Sequence, residues 1–260
     1  MRIIRLPGIH HDANASLVVG KEEAILIDAG TSWYQMLQVE RIKGHIEDGP
    51  PLSNILLSNR RFPFSGGAKA ISEAFDNALI HIGEEGVSAL ETGDFFSTWA
   101  NRFDSDMPVT ISNPLDDGDV FAIDDRGIEC ISTPGHAPEA MCFFQEDLSV
   151  LFAGSLISRA DTPIRWDLPG GCLPDLADSV TGIMELELEN LLASRGPSIK
   201  GRKHIQNVLD KHLQFFDKVI SDDGVMPKSW AKPAPTSLFL TPREPWPLLE
   251  HEETSSEDCQ

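Results

Sequence analysis

The stretch from Leu56 to Ala68 constrains the fold of this chain more than any other part of the sequence. It starts with the end of a short apolar run, continues through a loop at residues 58–65, and reaches the pair Gly66-Gly67, where a helix is predicted to begin. A buried strand that leads through a loop into a helix is a basic unit of α/β folds. The sequence therefore predicts an α/β domain with this loop at the end of a strand.

Apolar spacing extends the pattern along most of the chain. Period-two or continuous apolar runs bounded by turn residues predict strands at residues 3–6, 15–19, 24–28, 52–57, 77–82, 109–111, 120–123, 128–132, 140–144 and 150–152. Helical spacing predicts helices at residues 34–45, 66–75, 84–91, 95–103, 173–186 and 200–219. Two strand-rich halves with outer helices predict two sheets stacked face to face, which is a four-layer αββα sandwich.

The loop and five further segments resemble the metallo-β-lactamase superfamily, whose loop reads Thr-His-x-His-x-Asp-His-x-Gly-Gly. The further segments are, in order, an opening hairpin at 12–30, a Thr-Pro-Gly-His-Thr-Pro-Gly-like block at 133–139, a Leu-Phe-x-Gly-Asp-like block at 151–155, an insert typical of the hydroxyacylglutathione-hydrolase-like branch at 167–171, and a Pro-Gly-His-Gly-Pro-like block at 193–197. The resemblance covers residues 1–220 and implies an αββα sandwich of the metallo-β-lactamase type.

The resemblance also implies seven metal-ligand positions. In this sequence they are occupied by Asn59, Arg61, Pro63, Phe64, His136, Ser155 and Arg195. Only His136 is an ordinary ligand, because proline and phenylalanine side chains offer no donor atom and arginine stays protonated. A catalytic zinc ion usually has about three protein ligands. We therefore predict that the protein binds no metal and lacks the di-metal hydrolase activity of the family.

Arg61 and Arg195 stand where the family has histidines, so the resemblance implies that both side chains point into the former metal cavity. One interpretation is an internal network of ion pairs with the carboxylates of Asp28 and Asp167. The other is a pocket for a carboxylate or phosphate ligand, formed by the two arginines and His136.

Three expectations concern the support of the loop. Arg60 is expected to face the surface. Asp28 either orients the loop by hydrogen bonds, as the resemblance implies, or caps the turn that contains Gly30. The pair Gly66-Gly67 is expected to preserve the path of the family's loop.

A relocated metal site is an alternative. His10, His11 and Asp12 precede a strand that is predicted to pair with the strand ending at Asp28, which places them at the same edge of the cleft. Together with His136 they would hold one zinc or iron ion. Such a site would make the protein a metal-dependent hydrolase of thioester or lactone bonds.

Composition bears on partners and location. The formal net charge of −20 disfavours binding to nucleic acids or anionic membranes. No apolar run approaches the roughly 20 residues that span a bilayer. The four cysteines lack the spacing of a disulfide framework or a zinc site, so we expect a cytoplasmic protein.

The C-terminal part has a different character. Six of the 18 prolines fall between Pro227 and Pro247, and an acidic, polar end follows. We predict a folded domain at residues 1–225 and a Pro-rich, acidic tail at residues 226–260. This tail is expected to be partly disordered or docked on the domain through the aromatic side chains of Trp230, Phe239 and Trp246.

The sequence thus predicts a degenerate metallo-β-lactamase-fold protein that binds a ligand or a partner instead of hydrolysing a substrate. Candidate partners are a small anionic ligand, a second copy of the chain, or an active homologue.

Overall fold

The structure, a computed structural model, describes residues 1–103, 105 and 108–225. Two six-stranded sheets form its centre. The first sheet contains β1 (Arg2–Leu6), β2 (Ala15–Val19), β3 (Ala24–Ile27), β4 (Leu52–Leu56), β5 (Leu79–Gly83) and β6 (Asn113–Leu115), in that order. The second sheet contains β7 (Val120–Ile123), β8 (Arg126–Ser132), β9 (Met141–Gln145), β10 (Val150–Phe152), β11 (Asn190–Leu192) and β12 (Ile199–Lys200).

Helices cover both outer faces of this pair of sheets. They are α1 (Gln35–Ile46), α2 (Phe62–Ser65), α3 (Ala68–Ala74), α4 (Glu84–Glu91), α5 (Leu173–Met184) and α6 (Arg202–Ser221). Helices α1 and α3 lie on the first sheet, because Val39 and Ile71 share a buried cluster with Leu26 of β3. Helices α5 and α6 pack on the second sheet, because Val180 and Phe216 share a cluster with Leu151 of β10.

A third buried cluster lies between the two sheets. It joins Ile25 and Ile27 of β3 to Ile128 of β8, Phe143 of β9 and Phe152 of β10. Three apolar layers between four layers of secondary structure are the arrangement of an αββα sandwich. The predicted fold class is confirmed.

Strand direction brings the functional loops to one edge. Strand β4 runs parallel to β3 and to β5, so the segments after β3 and β4 leave the first sheet at the same end. Strands β10 and β11 are also parallel, so the segments that contain Ser155 and Arg195 emerge side by side from the second sheet. The segments that follow these parallel strands form the candidate site.

Two predicted elements are wrong. Residues 95–103 form no α-helix, and only a 3₁₀ turn at Ala100–Phe103 is present. The turn that begins at Asp94 ends at Trp99, whose φ of 65° lies outside the helical region. The strand expected at residues 109–111 lies instead at Asn113–Leu115.

Other differences are smaller. The predicted helix at residues 66–75 is α3 at Ala68–Ala74, and a short helix that was not predicted, α2, precedes it at Phe62–Ser65. Strands β11 and β12 were not predicted, because runs of three and two residues carry almost no periodic signal. The predicted tail at residues 226–260 lies outside the described residues. No helix of the described part is long and apolar enough to cross a membrane.

Candidate functional site

Asp28, directly after β3, determines how the loop at residues 58–65 begins. Its Oδ1 accepts the backbone N–H of Ser58 at 2.8 Å, and its Oδ2 accepts the Ser58 hydroxyl at 3.0 Å. Burial raises the pKa of Asp28 to about 7, although the two hydrogen bonds from Ser58 act in the opposite direction. Asp28 therefore orients the loop through Ser58 even though the loop lacks the family's metal ligands.

Three of the family's ligand positions are used to build the loop itself. The side-chain oxygen of Asn59 accepts the backbone N–H of Arg61 at 2.9 Å. Pro63 accepts a backbone hydrogen bond from Ala13, and Phe64 accepts one from Ala29. Asn59 therefore stabilises the loop internally, and Pro63 and Phe64 attach it to the opening hairpin.

The pair Gly66-Gly67 lies against the turn after β3. The Gly67 N–H donates to the Gly30 carbonyl at 2.9 Å. A Cβ atom on Gly67 would lie 2.5 Å from the Ala29 carbonyl oxygen, so a side chain at this position would force the two segments apart. The glycine therefore permits the close approach of α3 to the turn at Ala29 and Gly30.

Arg61 lies at the centre of the site and is only 2% exposed. Its guanidinium donates to three backbone carbonyls: to Ser97, to His136 at 3.3 Å, and to Pro169 at 2.8 Å. Within the described part of the chain, no carboxylate lies at ion-pair distance from this group. Burial lowers the pKa of Arg61 to about 9, and the neighbouring charge of Arg60 adds to this effect.

Arg60 is buried, so the expectation that it faces the surface is wrong. Its Nη1 atom donates to Oε2 of Glu139 at 2.9 Å, and its backbone N–H donates to Oε1 of the same carboxylate at 2.8 Å. The second guanidinium nitrogen donates to the Pro169 carbonyl at 3.0 Å. Arg60 and Glu139 thus form a buried ion pair that joins the loop to the segment before β9.

Sequence reasoning missed Glu139, although a signal was present. Arg60 fills the variable position between the first two ligand positions of the loop, and Glu139 replaces the last glycine of the family-like block at residues 133–139. Two departures from one family pattern, with opposite charge, indicate a pair. The burial itself could not be read from the sequence.

Arg165 was also missed, although it lies two residues before the insert at residues 167–171. It forms a bidentate ion pair with Asp167, and its guanidinium lies 5.7 Å from the ring centre of Trp99. The expected partner of Asp167 was Arg61 or Arg195, whereas the structure pairs it with Arg165.

His136 is held in one tautomer by the same segment. Its Nδ1–H donates to the Arg165 carbonyl at 2.7 Å, which leaves Nε2 as an acceptor. Burial, reinforced by the charge of Arg61, lowers the pKa of His136 to about 3, so the imidazole is neutral. A neutral imidazole is able to bind a metal, but the other six ligand positions supply no second imidazole or carboxylate. The residues present therefore do not fit the family's pair of metal ions.

Arg195 lies on the other side of the site and is 4% exposed. It donates to the carbonyl of His11 at 2.7 Å. Burial lowers its pKa to about 9, while the charges of Asp12 and Asp28 act in the opposite direction. Ser155, at the position of the family's bridging carboxylate, is also buried.

The residues of the alternative metal site have separate partners. His10 is hydrogen-bonded to the Tyr34 hydroxyl, and the ring of His11 packs edge-on against Trp33 at 5.7 Å. The Asp12 carboxylate accepts the backbone N–H and the hydroxyl of Thr31. Across the residues that the structure describes, no three His, Cys, Asp or Glu side chains come together as a group that could hold a metal ion.

Two facing sheets with outer helices, and a site at the ends of β3, β4, β10 and β11, define a protein of the metallo-β-lactamase class. The chain belongs to the metallo-beta-lactamase superfamily, whose family model matches residues 10–197. This result and the fold confirm the resemblance seen in the sequence.

Particular relatives and structures are similar to this chain. Acyl-coenzyme A thioesterase MBLAC2 of Gallus gallus is 26% identical over 224 residues, which cover 78% of this chain and 73% of the relative. Probable metallo-hydrolase MJ0888 of Methanocaldococcus jannaschii is 30% identical over 185 residues, which cover 68% of this chain and 82% of the relative. A Cronobacter sakazakii metallo-beta-lactamase structure described by its HARLDQ motif has a TM-score of 0.65 at 16% identity and covers 82% of this chain and 89% of its own.

The pKa values of the site lead to a prediction about pH. Asp28 has a pKa of about 7 in the folded state, against 3.8 for an unperturbed aspartate. The folded protein therefore holds this proton more tightly than the unfolded chain, so the contribution to stability is present below pH 4 and is lost as the pH rises to 7. His136, with a folded pKa of about 3 against 6.5, contributes stability above pH 6.5 that is lost as the pH falls toward 3.

We expect Asp28→Asn to remove the first of these two opposing effects. Asparagine keeps an acceptor for the Ser58 N–H and tolerates the positive φ of 61° at this position. The variant should gain up to about 4 kcal/mol relative to the natural protein between pH 4 and pH 8, measured as the difference between their urea unfolding free energies. Asp161→Asn, which alters an exposed carboxylate, is the control. A pH-independent difference between Asp28→Asn and the natural protein would contradict the prediction.

Proposed function

We propose that this protein is a non-hydrolytic member of its superfamily that binds a small anion, a carboxylate or a phosphate, beside Arg61. The main evidence is the environment of Arg61, which is buried at a former metal-ligand position and donates to backbone carbonyls. Within the described residues, no carboxylate lies at ion-pair distance from its guanidinium. A buried cation without an ion-pair partner is costly, since burial removes its hydration, and the charges of Glu139 and Asp167 offset only part of that cost. A bound anion would supply the missing negative charge.

The chemistry of the neighbouring groups supports an anion rather than a cation. The carboxylates of Glu139 and Asp167 are each occupied by an arginine, Arg60 and Arg165. His136 is neutral and contributes no charge of its own. A planar guanidinium offers donors in a fixed arrangement that matches carboxylate and phosphate oxygens, and these bonds are strong where water is excluded.

The related proteins give this proposal a context. The Gallus gallus relative is named an acyl-coenzyme A thioesterase, and coenzyme A carries phosphate groups. When the letters of the HARLDQ motif are placed on the family pattern His-x-His-x-Asp-His, arginine falls on the second histidine, which is the position of Arg61 here. These likenesses support an arginine site on this fold and leave the identity of the anion to experiment.

The first test is metal content. Protein purified without added metal should contain far less than one equivalent of zinc and of iron by mass spectrometry, because the former ligand positions offer one imidazole and no carboxylate. About one equivalent of either metal, lost in His136→Ala, would overturn the proposal in favour of a hydrolase with an altered metal site.

The second test is anion binding, which we expect to depend on Arg61. Inorganic phosphate or acetate should raise the thermal unfolding midpoint of the natural protein in a saturable manner. The rise should correspond to a stabilisation of about 1.4 kcal/mol at a tenfold excess over the dissociation constant. Arg61→Gln should abolish this ligand-dependent increment, whatever its effect on stability without ligand. Arg126→Gln is the control, because it removes a charge on β8 that is paired at 3.7 Å with Asp147. This variant should retain the ligand-dependent increment. Equal increments in the natural protein and Arg61→Gln, or no increment with either anion, would refute the proposal.

A further inference from the structure

Large apolar side chains are exposed on the turn that contacts Arg61. Phe96 is 72% exposed, and Phe95 before it is also exposed. The next residue, Ser97, has a backbone carbonyl that accepts a hydrogen bond from the Arg61 guanidinium. The Asp94 carboxylate accepts the N–H groups of Phe96 and Ser97, which fixes the conformation of this turn. The exposed ring of Phe96 therefore belongs to the residue directly before a hydrogen-bond partner of Arg61.

A second group of exposed apolar side chains lies where α1 begins. Trp33 is in the 3₁₀ turn at Ser32–Tyr34 that precedes α1, and it is 49% exposed. Met36 and Leu37, in the first turn of α1, are 67% and 47% exposed. Residues three and four positions apart on a helical backbone are neighbours, so these three side chains form one apolar surface.

Trp33 connects this surface to both buried arginines of the site. Its ring lies 6.5 Å from that of Phe62, the residue after Arg61. It also lies 5.7 Å from the ring of His11, whose backbone carbonyl accepts a hydrogen bond from Arg195. Trp33 thus packs against one residue that is next to Arg61 in the chain and another that is bonded to Arg195.

Phe62 joins the two groups of exposed side chains. Its N–H donates to the Thr98 carbonyl at 2.8 Å, in the turn that carries Phe96, and its ring packs edge-on against Trp33. We call the exposed side chains on both sides of Phe62 the apolar rim, and its members are Trp33, Met36, Leu37, Phe95 and Phe96. Exposed apolar clusters of this kind often mark a surface for a ligand or a partner.

The position of the apolar rim beside a buried cation restricts its occupant. A small inorganic anion would meet Arg61 but leave the rim in water, and an uncharged apolar molecule would cover the rim without supplying negative charge to Arg61. A second copy of the chain is disfavoured, because each copy carries a net charge of −20. A molecule with both an anionic group and an apolar part matches the two features together.

We infer that the ligand is an amphiphilic anion, whose charged group binds beside Arg61 and whose apolar part lies on the apolar rim. This inference rests on the proposed function and adds the chemical class of the part of the ligand that carries no charge. A medium-chain alkyl carboxylate is the simplest member of this class.

The test compares acetate with octanoate on the full-length protein by isothermal titration calorimetry. Each CH₂ group that leaves water on binding should tighten binding about fourfold, so octanoate should bind about tenfold or more tightly than acetate. Its binding should also show the more negative heat-capacity change, which is the mark of apolar burial. Equal affinities for acetate and octanoate would overturn the inference.

Variants of the apolar rim locate the contact. Phe96→Ser and Met36→Ser should each lower the ratio of octanoate to acetate affinity about threefold or more, because each removes apolar surface from the rim. Leu79→Ser is the matched control, since Leu79 is 48% exposed but begins β5, at the end of the first sheet opposite the site. It should leave the ratio unchanged. An unchanged ratio in both rim variants would contradict the assignment of the rim.

Further outcomes separate this inference from the proposed function. If neither acetate nor phosphate binds to the natural protein, the proposed function is refuted and the inference falls with it. If acetate binds and octanoate binds no more tightly, the inference alone is overturned. Octanoate binding that is unchanged in Arg61→Gln would also overturn it, because the charged group would then play no part. A sedimentation coefficient that rises with protein concentration, and does so less in Phe96→Ser, would assign the rim to a second copy instead.

Discussion

Replacement of Glu139 by alanine should lower the free energy of unfolding by about 3–5 kcal/mol, the effect of removing one partner of a buried ion pair. The Glu139 carboxylate is 1% exposed and accepts both the backbone N–H and the guanidinium of Arg60. Without it, the charge of Arg60 stays buried next to Arg61 and Arg165 with no counterion of its own. Urea unfolding at pH 7 measures the difference.

A matched ion pair at the surface provides the control for this prediction. Arg159 and Asp161 form a pair of the same type at 2.9 Å, but the Asp161 side chain is 68% exposed. Asp161→Ala should therefore cost less than about 1 kcal/mol, because water replaces the lost partner. Comparable losses of unfolding free energy in Glu139→Ala and Asp161→Ala would contradict the prediction that the buried ion pair is the more important of the two.

A double substitution separates the role of the charge from that of packing. Arg60→Met combined with Glu139→Leu removes both charges and keeps apolar volume, and such replacements of buried pairs are often neutral or stabilising. We expect the double variant to be more stable than Glu139→Ala alone. Recovery of stability would show that the loss came from an unpaired charge, whereas no recovery would show that the hydrogen bonds to the backbone matter more.

The second large loss of stability is expected when Gly67 is replaced. Its φ of −86° is open to any residue, so the constraint is steric. Because an added Cβ would lie 2.5 Å from the Ala29 carbonyl oxygen and 3.3 Å from that of Thr31, Gly67→Ala should push α3 away from the turn after β3. Overpacking of this kind costs about 1–3 kcal/mol or more, measurable by urea unfolding.

Gly44 in the interior of α1 is the opposite case. No heavy atom lies within 4 Å of a Cβ at this position. Gly44→Ala should therefore stabilise the protein by about 0.5–1 kcal/mol, because alanine favours the helix and restricts the unfolded chain. A loss of stability in Gly44→Ala, or none in Gly67→Ala, would contradict the contacts that distinguish the two glycines.

The loop at residues 58–65 is held in place by the guanidinium groups of its own arginines. Arg60 and Arg61 both donate to the Pro169 carbonyl, and both also donate to that of Ser97. The loop is thus joined to two segments that are distant in sequence, one after α4 and one before α5. A metal ion binds its surrounding segments through ligands, and here guanidinium groups connect segments through backbone carbonyls.

Local patterns accounted for most of the fold. The strands at 15–19 and 120–123 and the helix at 84–91 have the predicted limits, because turn residues such as Gly20, Gly83 and Asp124 bound them. The predictions were wrong where the backbone departs from helical geometry, as it does at Trp99, with a φ of 65°, before the 3₁₀ turn. They also missed β12, whose two residues pair only because β11 lies next to them.

The amino-acid sequence alone determined most of the order of strands and helices, the αββα architecture and the departure from the family's metal-ligand residue types, because these follow from residue type and from periodicity over short distances. Only the tertiary structure decided which carboxylate meets each arginine. Arg60 and Glu139 are 79 positions apart, and Arg61 and the Pro169 carbonyl are 108 apart. Contacts of that range depend on the packing of whole sheets and on which charges are removed from water, and no local pattern encodes either.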